Sequence, residues 1–230
     1  MRLIFVRHGE PNYENDCLTE NGLRQAECTA ERLKRENITE IYASPMGRAQ
    51  QTASFTAQML GKDISILDFM HEIDWGDAGD THLGYDGHPW TLAYKLLSGE
   101  PGYVGSGRWT EHPFFRDNIC MRYYRDISEK IDEFLSGYGL TRSNDMYVTD
   151  GCPDTDIALF AHGGSGAVVL SHVLNLPFPF VLTSMPFGVC SVTVIEFVPQ
   201  EDRIVLPRLE LFNDMGHLES VRTERLKFEK

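Results

Sequence analysis

The sequence is short of the features that mark several classes of protein. Its 21 Lys and Arg residues are outnumbered by 34 Asp and Glu residues, giving a formal net charge of −13. That charge argues against non-specific binding to nucleic acid or to an anionic membrane, because both need basic patches. No apolar run approaches the roughly 20 residues that span a bilayer, and the apolar N-terminal segment lacks the long hydrophobic region of a secretory signal. We therefore expect a cytoplasmic protein that binds neither nucleic acid nor membrane.

Cysteine is also scarce and irregularly placed. The chain has five cysteines among 230 residues, an odd number, and no Cys-x-x-Cys spacing. This pattern argues against a disulfide framework and against a structural zinc site. We expect reduced thiols at all five positions, which are Cys17, Cys28, Cys120, Cys152 and Cys190.

Apolar runs alternate with helical patterns along most of the chain, which is typical of β-α units and a parallel sheet. We predict strands at 2–6, 41–43, 64–67, 157–161, 192–198 and 204–212. We predict helices at 19–35, 45–60, 116–135 and 163–174, with Thr19 and Ser44 as N-caps and Pro45 as a first helical residue. The polar stretch 141–155 is expected to be a connection.

These elements predict an α/β fold, a three-layer α/β/α arrangement with a mainly parallel central sheet and a lid insertion. We expect residues 1–230 to form one domain. The lid is placed at about 77–115, where residues rich in Gly, His and aromatic side chains follow no clean period.

Two predicted strands end in the same way. The first runs into Arg7, His8 and Gly9, and the strand at 157–161 runs into His162 and Gly163 before a helix. Ligands of open α/β sheets bind at the carboxyl ends of strands. Glycine lets a backbone approach a ligand closely, and a helix N-terminus offers free N–H groups to an anion. The pattern favours an anion site between these two ends.

A cation and a carboxyl group follow the predicted strands at 41–43 and 64–67. Arg48 lies in the first turn of a predicted helix, where a cation opposes the helix dipole. A bound anion would make that position favourable. Glu72 stands among apolar neighbours, which favours a raised pKa and a role as general acid.

Together these segments resemble a known family. In order and approximate spacing they are similar to the motifs of the histidine phosphatase superfamily, which includes cofactor-dependent phosphoglycerate mutases and fructose-2,6-bisphosphatase-type enzymes. The segments are Arg7-His8-Gly9-Glu10, Ser44-Pro45-x-Gly47-Arg48-Ala49-x-x-Thr52-Ala53, Glu72-Ile73-x-x-Gly76 and His162-Gly163-Gly164. Asn213-Asp214-x-x-His217-Leu218 resembles the end of the small phosphatase branch.

The resemblance implies a phosphomonoesterase that hydrolyses a small phosphorylated metabolite. His8 would be the nucleophile that becomes a phosphohistidine, and Glu72 the proton donor to the leaving oxygen. Arg7, Arg48 and His162 would surround the phosphoryl group, which suits a reaction governed by positioning and charge. Gly9, Gly163 and Asn12 are the expected substrate-binding residues. No metal and no cofactor is implied, and the expected partner is the substrate itself.

The first loop departs from the family pattern. Pro11 stands where Ser or Thr is usual, and Glu14 stands where the family has Asn. Asn12 and Asn15 are the two candidates for the missing amide donor. Since specificity depends on this loop and on the lid, the departure affects the identity of the substrate more than the chemistry.

Two other functions compete with a phosphatase. A phosphoglycerate-type mutase must hold a second anionic group, so its lid should carry cations, whereas 77–115 has only Lys95 and Arg108 against five acids (Asp77, Asp80, Asp86, Glu100 and Glu111). An acidic, aromatic lid suits one phosphate on a partly apolar body, although its aromatic residues could instead form the lid's own core. A non-catalytic phosphate-ester-binding protein would be expected to have lost a catalytic residue, and every such position is filled here.

Overall fold

The computed structural model describes residues 1–79, 81–151, 153–200 and 202–223. Asp80 and Cys152, which entered the sequence analysis, lie outside the described residues. The strands are β1 (Arg2–Arg7), β2 (Pro11–Asn12), β3 (Cys17–Leu18), β4 (Ile38–Ala43), β5 (Ile64–Ile66), β6 (Leu140–Ser143), β7 (Met146–Thr149), β8 (Asp156–Ala161), β9 (Val192–Pro199) and β10 (Ile204–Asp214).

Within the described ranges, eight of these strands form one sheet in the order β5-β4-β8-β1-β9-β10-β7-β6, and β2 pairs with β3 as a separate hairpin. β5, β4, β8 and β1 are mutually parallel, while each later neighbour pairs antiparallel. Six of the eight strands therefore point the same way, with β7 and β9 reversed. The predicted mainly parallel sheet is confirmed.

The α-helices are α1 (Glu20–Leu33), α2 (Gly47–Leu60), α3 (Pro89–Gly99), α4 (Pro101–Gly105), α5 (Pro113–Arg116), α6 (Cys120–Ser136), α7 (Gly163–Val173) and α8 (Phe178–Ser184). Short 3₁₀ turns lie at Asp68–Met70, Tyr85–Gly87, Arg108–Glu111 and Gly216–Leu218. Along the described chain, no helix is both long and apolar enough to cross a membrane.

Helices cover both faces of the sheet because the central strands are apolar on both faces. Ile4 and Val6 of β1 pack with residues of α1 and α2 on one side. Leu3 and Phe5, which point the other way, pack with residues of α6, α7 and α8. α6 buries Ile127, Ile131 and Leu135 at a spacing of four residues, the pattern of a helix with one apolar face. The predicted three-layer architecture is thus confirmed.

Of the two predicted N-caps, one is confirmed and the other is wrong. Thr19 is the N-cap of α1, as expected, and its hydroxyl accepts a hydrogen bond from the N–H of Gly22 at 3.0 Å. The prediction of Ser44 and Pro45 at the start of α2 was wrong, because Met46 is the N-cap and the helix begins at Gly47. The Ser44 hydroxyl instead lies 2.7 Å from Nε2 of His162. A tertiary contact replaced the local cap.

Two further stretches differ from the prediction. The polar segment 141–155 contains most of β6 and all of β7, an antiparallel hairpin at the edge of the sheet. α6 begins at Cys120 rather than at 116, with Ile119 as its N-cap, and the side-chain oxygen of Asn118 accepts the N–H of Cys120 at 3.0 Å. Each of these strands has only four residues, so periodicity alone did not reveal the hairpin.

The predicted lid is not an irregular loop, because α3, α4 and most of α5 lie within it. Trp109 and Phe115 are buried, and both rings stack against Phe178 of α8, at centroid distances of 6.2 and 6.3 Å. Many of the aromatic residues in this segment therefore belong to the core. The extent of a single domain over 1–230 and the lid boundaries stay predictions.

Candidate active site

His8 lies immediately after β1 and is only 1% exposed. Its Nδ1 lies 2.7 Å from the carbonyl oxygen of Gly9. A carbonyl can only accept, so Nδ1 carries the ring proton and donates it there. This hydrogen bond leaves Nε2 with its lone pair, which is the nitrogen that a nucleophile needs.

The charge state of His8 supports the same reading. Burial, followed by the neighbouring guanidiniums of Arg7 and Arg48, lowers the pKa of His8 to about 3. The hydrogen bond to the Gly9 carbonyl raises the pKa, but by less than burial and the two guanidiniums lower it. The imidazole is therefore neutral, and nucleophilic, at neutral pH.

The loop that carries His8 is held by its backbone. The N–H of His8 donates to the carbonyl of Ala161 in β8 at 2.9 Å, and the N–H of Gly9 donates to the hydroxyl of Thr52 in α2 at 3.0 Å. Gly9 has no room for a side chain, since a Cβ there would lie 2.8 Å from the carbonyl oxygen of Gly22. The backbone around His8 is thus fixed between β8, α1 and α2.

The guanidinium groups of Arg7 and Arg48 flank the imidazole, and each donates a hydrogen bond through its Nη1. Arg7 donates through Nη1 to the carbonyl of Phe187 at 2.6 Å. Arg48, 5% exposed in its side chain, donates through Nη1 to Oδ1 of Asp16 at 2.5 Å. The Nε atoms of both arginines are buried and have no hydrogen-bond partner among the described residues.

His162 completes the group as the N-cap of α7. Its ring centroid lies 5.1 Å from that of His8. Burial and the nearby positive groups lower its pKa, so it is neutral. Its Nε2 is 2.7 Å from the Ser44 hydroxyl, whereas its Nδ1 is buried with no partner in the part of the chain that the structure describes.

Glu72 lies against the N-terminus of α7. Its Oε1 accepts three backbone N–H groups, from Ile73 at 3.0 Å, Gly164 at 2.9 Å and Ser165 at 3.1 Å. Burial raises the pKa of this carboxyl, and the hydrogen bonds and the two arginines only partly offset that effect. Gly164 must be glycine, because a Cβ there would lie 2.5 Å from Glu72 Oε1.

The structure therefore brings together Arg7, His8, Arg48, Glu72 and His162, which interact electrostatically with one another. Gly9 and Gly163 adjoin them. Asn12 is engaged within its own hairpin, where its side-chain oxygen accepts the N–H of Asn15 at 3.3 Å. Sequence reasoning missed Asp16, Gly164 and the Phe187 carbonyl. None of them carried a local signal, except that Gly164 stood inside a quoted motif.

The two best-defined cavities lie away from this group of residues. Two cavities of about 690 and 480 Å³ are lined by other residues, the larger by α1 and 214–217 and the smaller around Arg142 and Tyr124. Within the described residues, no three or more His, Cys, Asp or Glu side chains gather as they would to hold a metal ion.

Comparison with known proteins bears on the family that the sequence motifs resemble. Residues 3–86 match the model of the histidine phosphatase superfamily (branch 1). A probable phosphoglycerate mutase from Cronobacter sakazakii is 24% identical over 99% of this chain and 99% of its own length. The resemblance to the histidine phosphatase superfamily that the sequence motifs predicted is therefore confirmed.

Solved structures of phosphatases share the fold. A phosphoserine phosphatase from Entamoeba histolytica, in complex with 3-phosphoglyceric acid, superposes with a TM-score of 0.61 at 24% identity, covering 94% of this chain and 98% of its own. A mycobacterial glucosyl-3-phosphoglycerate phosphatase gives a TM-score of 0.59 at 23% identity, covering 92% and 98%. At sequence identities below 25%, the likeness to these two structures shows a shared fold and no more.

Proposed function

We propose that this protein is a phosphomonoesterase that hydrolyses a small phosphorylated metabolite through a phosphohistidine on His8. The observation that carries the proposal is the set of unsatisfied nitrogens around that imidazole. Arg7 Nε, Arg48 Nε and His162 Nδ1 are all buried without a hydrogen-bond partner among the described residues. Buried polar groups are normally paired, and a phosphoryl group supplies oxygens that would pair all three.

In the first step, Nε2 of His8 attacks phosphorus and forms an N–P bond as the ester P–O bond breaks. The two guanidiniums stabilise the charge spread over the phosphoryl oxygens. Glu72, whose pKa is raised by burial, acts as the general acid and gives a proton to the leaving oxygen, and the alcohol departs.

In the second step, a water molecule attacks phosphorus while the Glu72 carboxylate takes one of its protons. The N–P bond breaks, its electron pair returns to Nε2 of His8, and inorganic phosphate leaves. Throughout both steps the hydrogen bond from Nδ1 to the Gly9 carbonyl keeps the ring in place. No metal ion takes part in this scheme.

A phosphomutase is the second candidate, because the relatives of this chain include proteins named phosphoglycerate mutase. The lid argues against it. Arg108 is 61% exposed and lies 3.7 Å from Glu111, and exposed Lys95 lies over the ring of Tyr85. Neither cation contacts the candidate active site, so neither offers a second anion site there.

Loss of the nucleophile tests the proposal. We expect wild-type protein to hydrolyse an aryl phosphate in the presence of a chelator, and His8→Ala to lower kcat by at least about a thousandfold. His82→Ala is the matched control, since that imidazole is 92% exposed. Labelled phosphate should be trapped on the wild-type chain by a denaturing alkaline quench, but not on His8→Ala.

A His8→Ala variant with most of its activity would refute the nucleophile assignment. Tight binding of phosphate esters with no turnover would favour a binding protein. Interconversion of phosphoglycerates that outran hydrolysis, with a bisphosphate primer present, would favour the mutase. We also propose the cytoplasm, a reducing compartment, as the place of action, because Cys17, Cys28, Cys120 and Cys190 are free thiols. The small phosphorylated substrate is the proposed partner.

A further inference from the structure

Asp16 holds the candidate active site from outside the family motifs. It lies in the turn between β2 and β3 with a left-handed backbone conformation, φ +46°. Its carboxylate makes two contacts at the start of α2. Oδ2 accepts the N–H of Gly47 at 2.6 Å, and Oδ1 accepts Nη1 of Arg48 at 2.5 Å.

The hairpin turn is seated firmly on the helix. A Cβ at Gly47 would lie 2.4 Å from the backbone oxygen of Asp16, so only glycine allows this approach. The Arg48 guanidinium lies over the ring of Tyr13 in the same turn, with its Cζ 5.5 Å from the ring centroid. These contacts fix the backbone of Asp16 beside Arg48, and its carboxylate is held there by the two hydrogen bonds.

The position of this negative charge bears on the substrate. The Asp16 side chain is 42% exposed and the Arg48 side chain is 5% exposed, so the carboxylate lies between the buried cation and solvent. Nε of Arg48 stays unpaired for a phosphoryl oxygen. A second negative charge on the substrate, close to the phosphoryl group, would meet Asp16 at short range.

We propose that Asp16 is a specificity-determining residue that selects against phosphate esters carrying a carboxylate near the phosphoryl group. It favours esters whose body is uncharged. The inference rests on the proposed phosphatase function and specifies its substrate class.

Two substrates that differ in one group test this idea. Glycerol 3-phosphate carries a hydroxymethyl group where 3-phosphoglycerate carries a carboxylate. We expect wild-type kcat/KM to be at least about tenfold higher for glycerol 3-phosphate, as repulsion between partly screened charges allows. Asp16→Asn keeps an oxygen for the Gly47 N–H but removes the charge. It should lower this ratio about tenfold, mainly by improving turnover of 3-phosphoglycerate.

Matched variants separate charge from structure. Glu14→Gln removes one negative charge from an exposed position in the same hairpin and should leave the ratio unchanged within about twofold. Asp16→Glu retains the charge and should retain the preference. An unchanged ratio in folded Asp16→Asn, or equal loss of activity on both substrates in Asp16→Asn and Asp16→Glu, would overturn the inference.

The wild-type enzyme alone gives a further test if the variants do not fold. Equal kcat/KM for the two esters would refute the selection by Asp16 while leaving the phosphatase proposal intact. Absence of hydrolysis of any ester, with no phosphate trapped on His8, would instead refute the proposed function.

Discussion

Gly163 and Gly164 are neighbours in the first turn of α7, yet an added methyl group at each meets different surroundings. At Gly164 the Cβ would lie 2.5 Å from Glu72 Oε1 and 2.5 Å from Ile73 Cγ1. At Gly163 the nearest atoms belong to the Arg7 guanidinium, at 3.6 Å, which is ordinary contact. Gly164→Ala must therefore displace Glu72 or Ile73, whereas Gly163→Ala fits.

The expected free energies follow from these contacts. Overpacking a buried site costs about 1–3 kcal/mol, and a displaced Glu72 carboxyl loses backbone hydrogen bonds worth about 1–3 kcal/mol. Alanine in a helix recovers about 0.5–1 kcal/mol relative to glycine. Gly164→Ala should thus lower the free energy of unfolding by about 3 kcal/mol. Gly163→Ala should leave it unchanged or raise it by up to about 1 kcal/mol.

Urea unfolding followed by circular dichroism measures both variants. In parallel, kcat/KM of Gly164→Ala on an aryl phosphate reports whether Glu72 has moved, and it should fall below the wild-type value. Equal stability of the two variants would show that α7 does not press against Glu72 as described. Full activity in a destabilised Gly164→Ala would show that the position of Glu72 does not matter to the reaction.

Three further outcomes are expected. The pKa of His8 falls from 6.5 to about 3 on folding, so the free energy of unfolding should decline as the pH is lowered from 6.5 towards 3. The decline should be at most about 1.4 kcal/mol per pH unit. His8→Ala should flatten it in urea titrations. Since burial raises the pKa of Glu72, kcat/KM should decrease as pH rises through that pKa, and Glu72→Gln should abolish the alkaline decrease in a pH–rate profile. Trp109→Ala, which empties a buried aromatic cluster, should cost about 3–5 kcal/mol in urea unfolding, and Trp109→Phe clearly less.

Most of the sheet could be predicted because its strands are strongly apolar. β1 and β8 are buried on both faces and read as continuous apolar runs. β6 and β7 were missed, since each has only four residues and lies in a mostly polar stretch, which leaves little periodicity to detect. The start of α2 was misplaced for another reason. Ser44 had the local chemistry of a cap, but its hydroxyl is used by His162, 118 residues away.

The sequence by itself determined which reactive groups this protein has and that they follow the ends of strands. Chain order and local chemistry are enough for that, because a parallel sheet brings its strand ends to one edge. Only the tertiary structure decided which atoms each of these groups contacts. Arg7 is paired with a carbonyl 180 residues away, Glu72 with an N–H 92 residues away and Arg48 with an acid 32 residues away. Burial in the tertiary structure shifts the pKa values of His8 and Glu72, and the long-range pairing leaves particular nitrogens without a partner among the described residues. No local pattern encodes contacts over such distances.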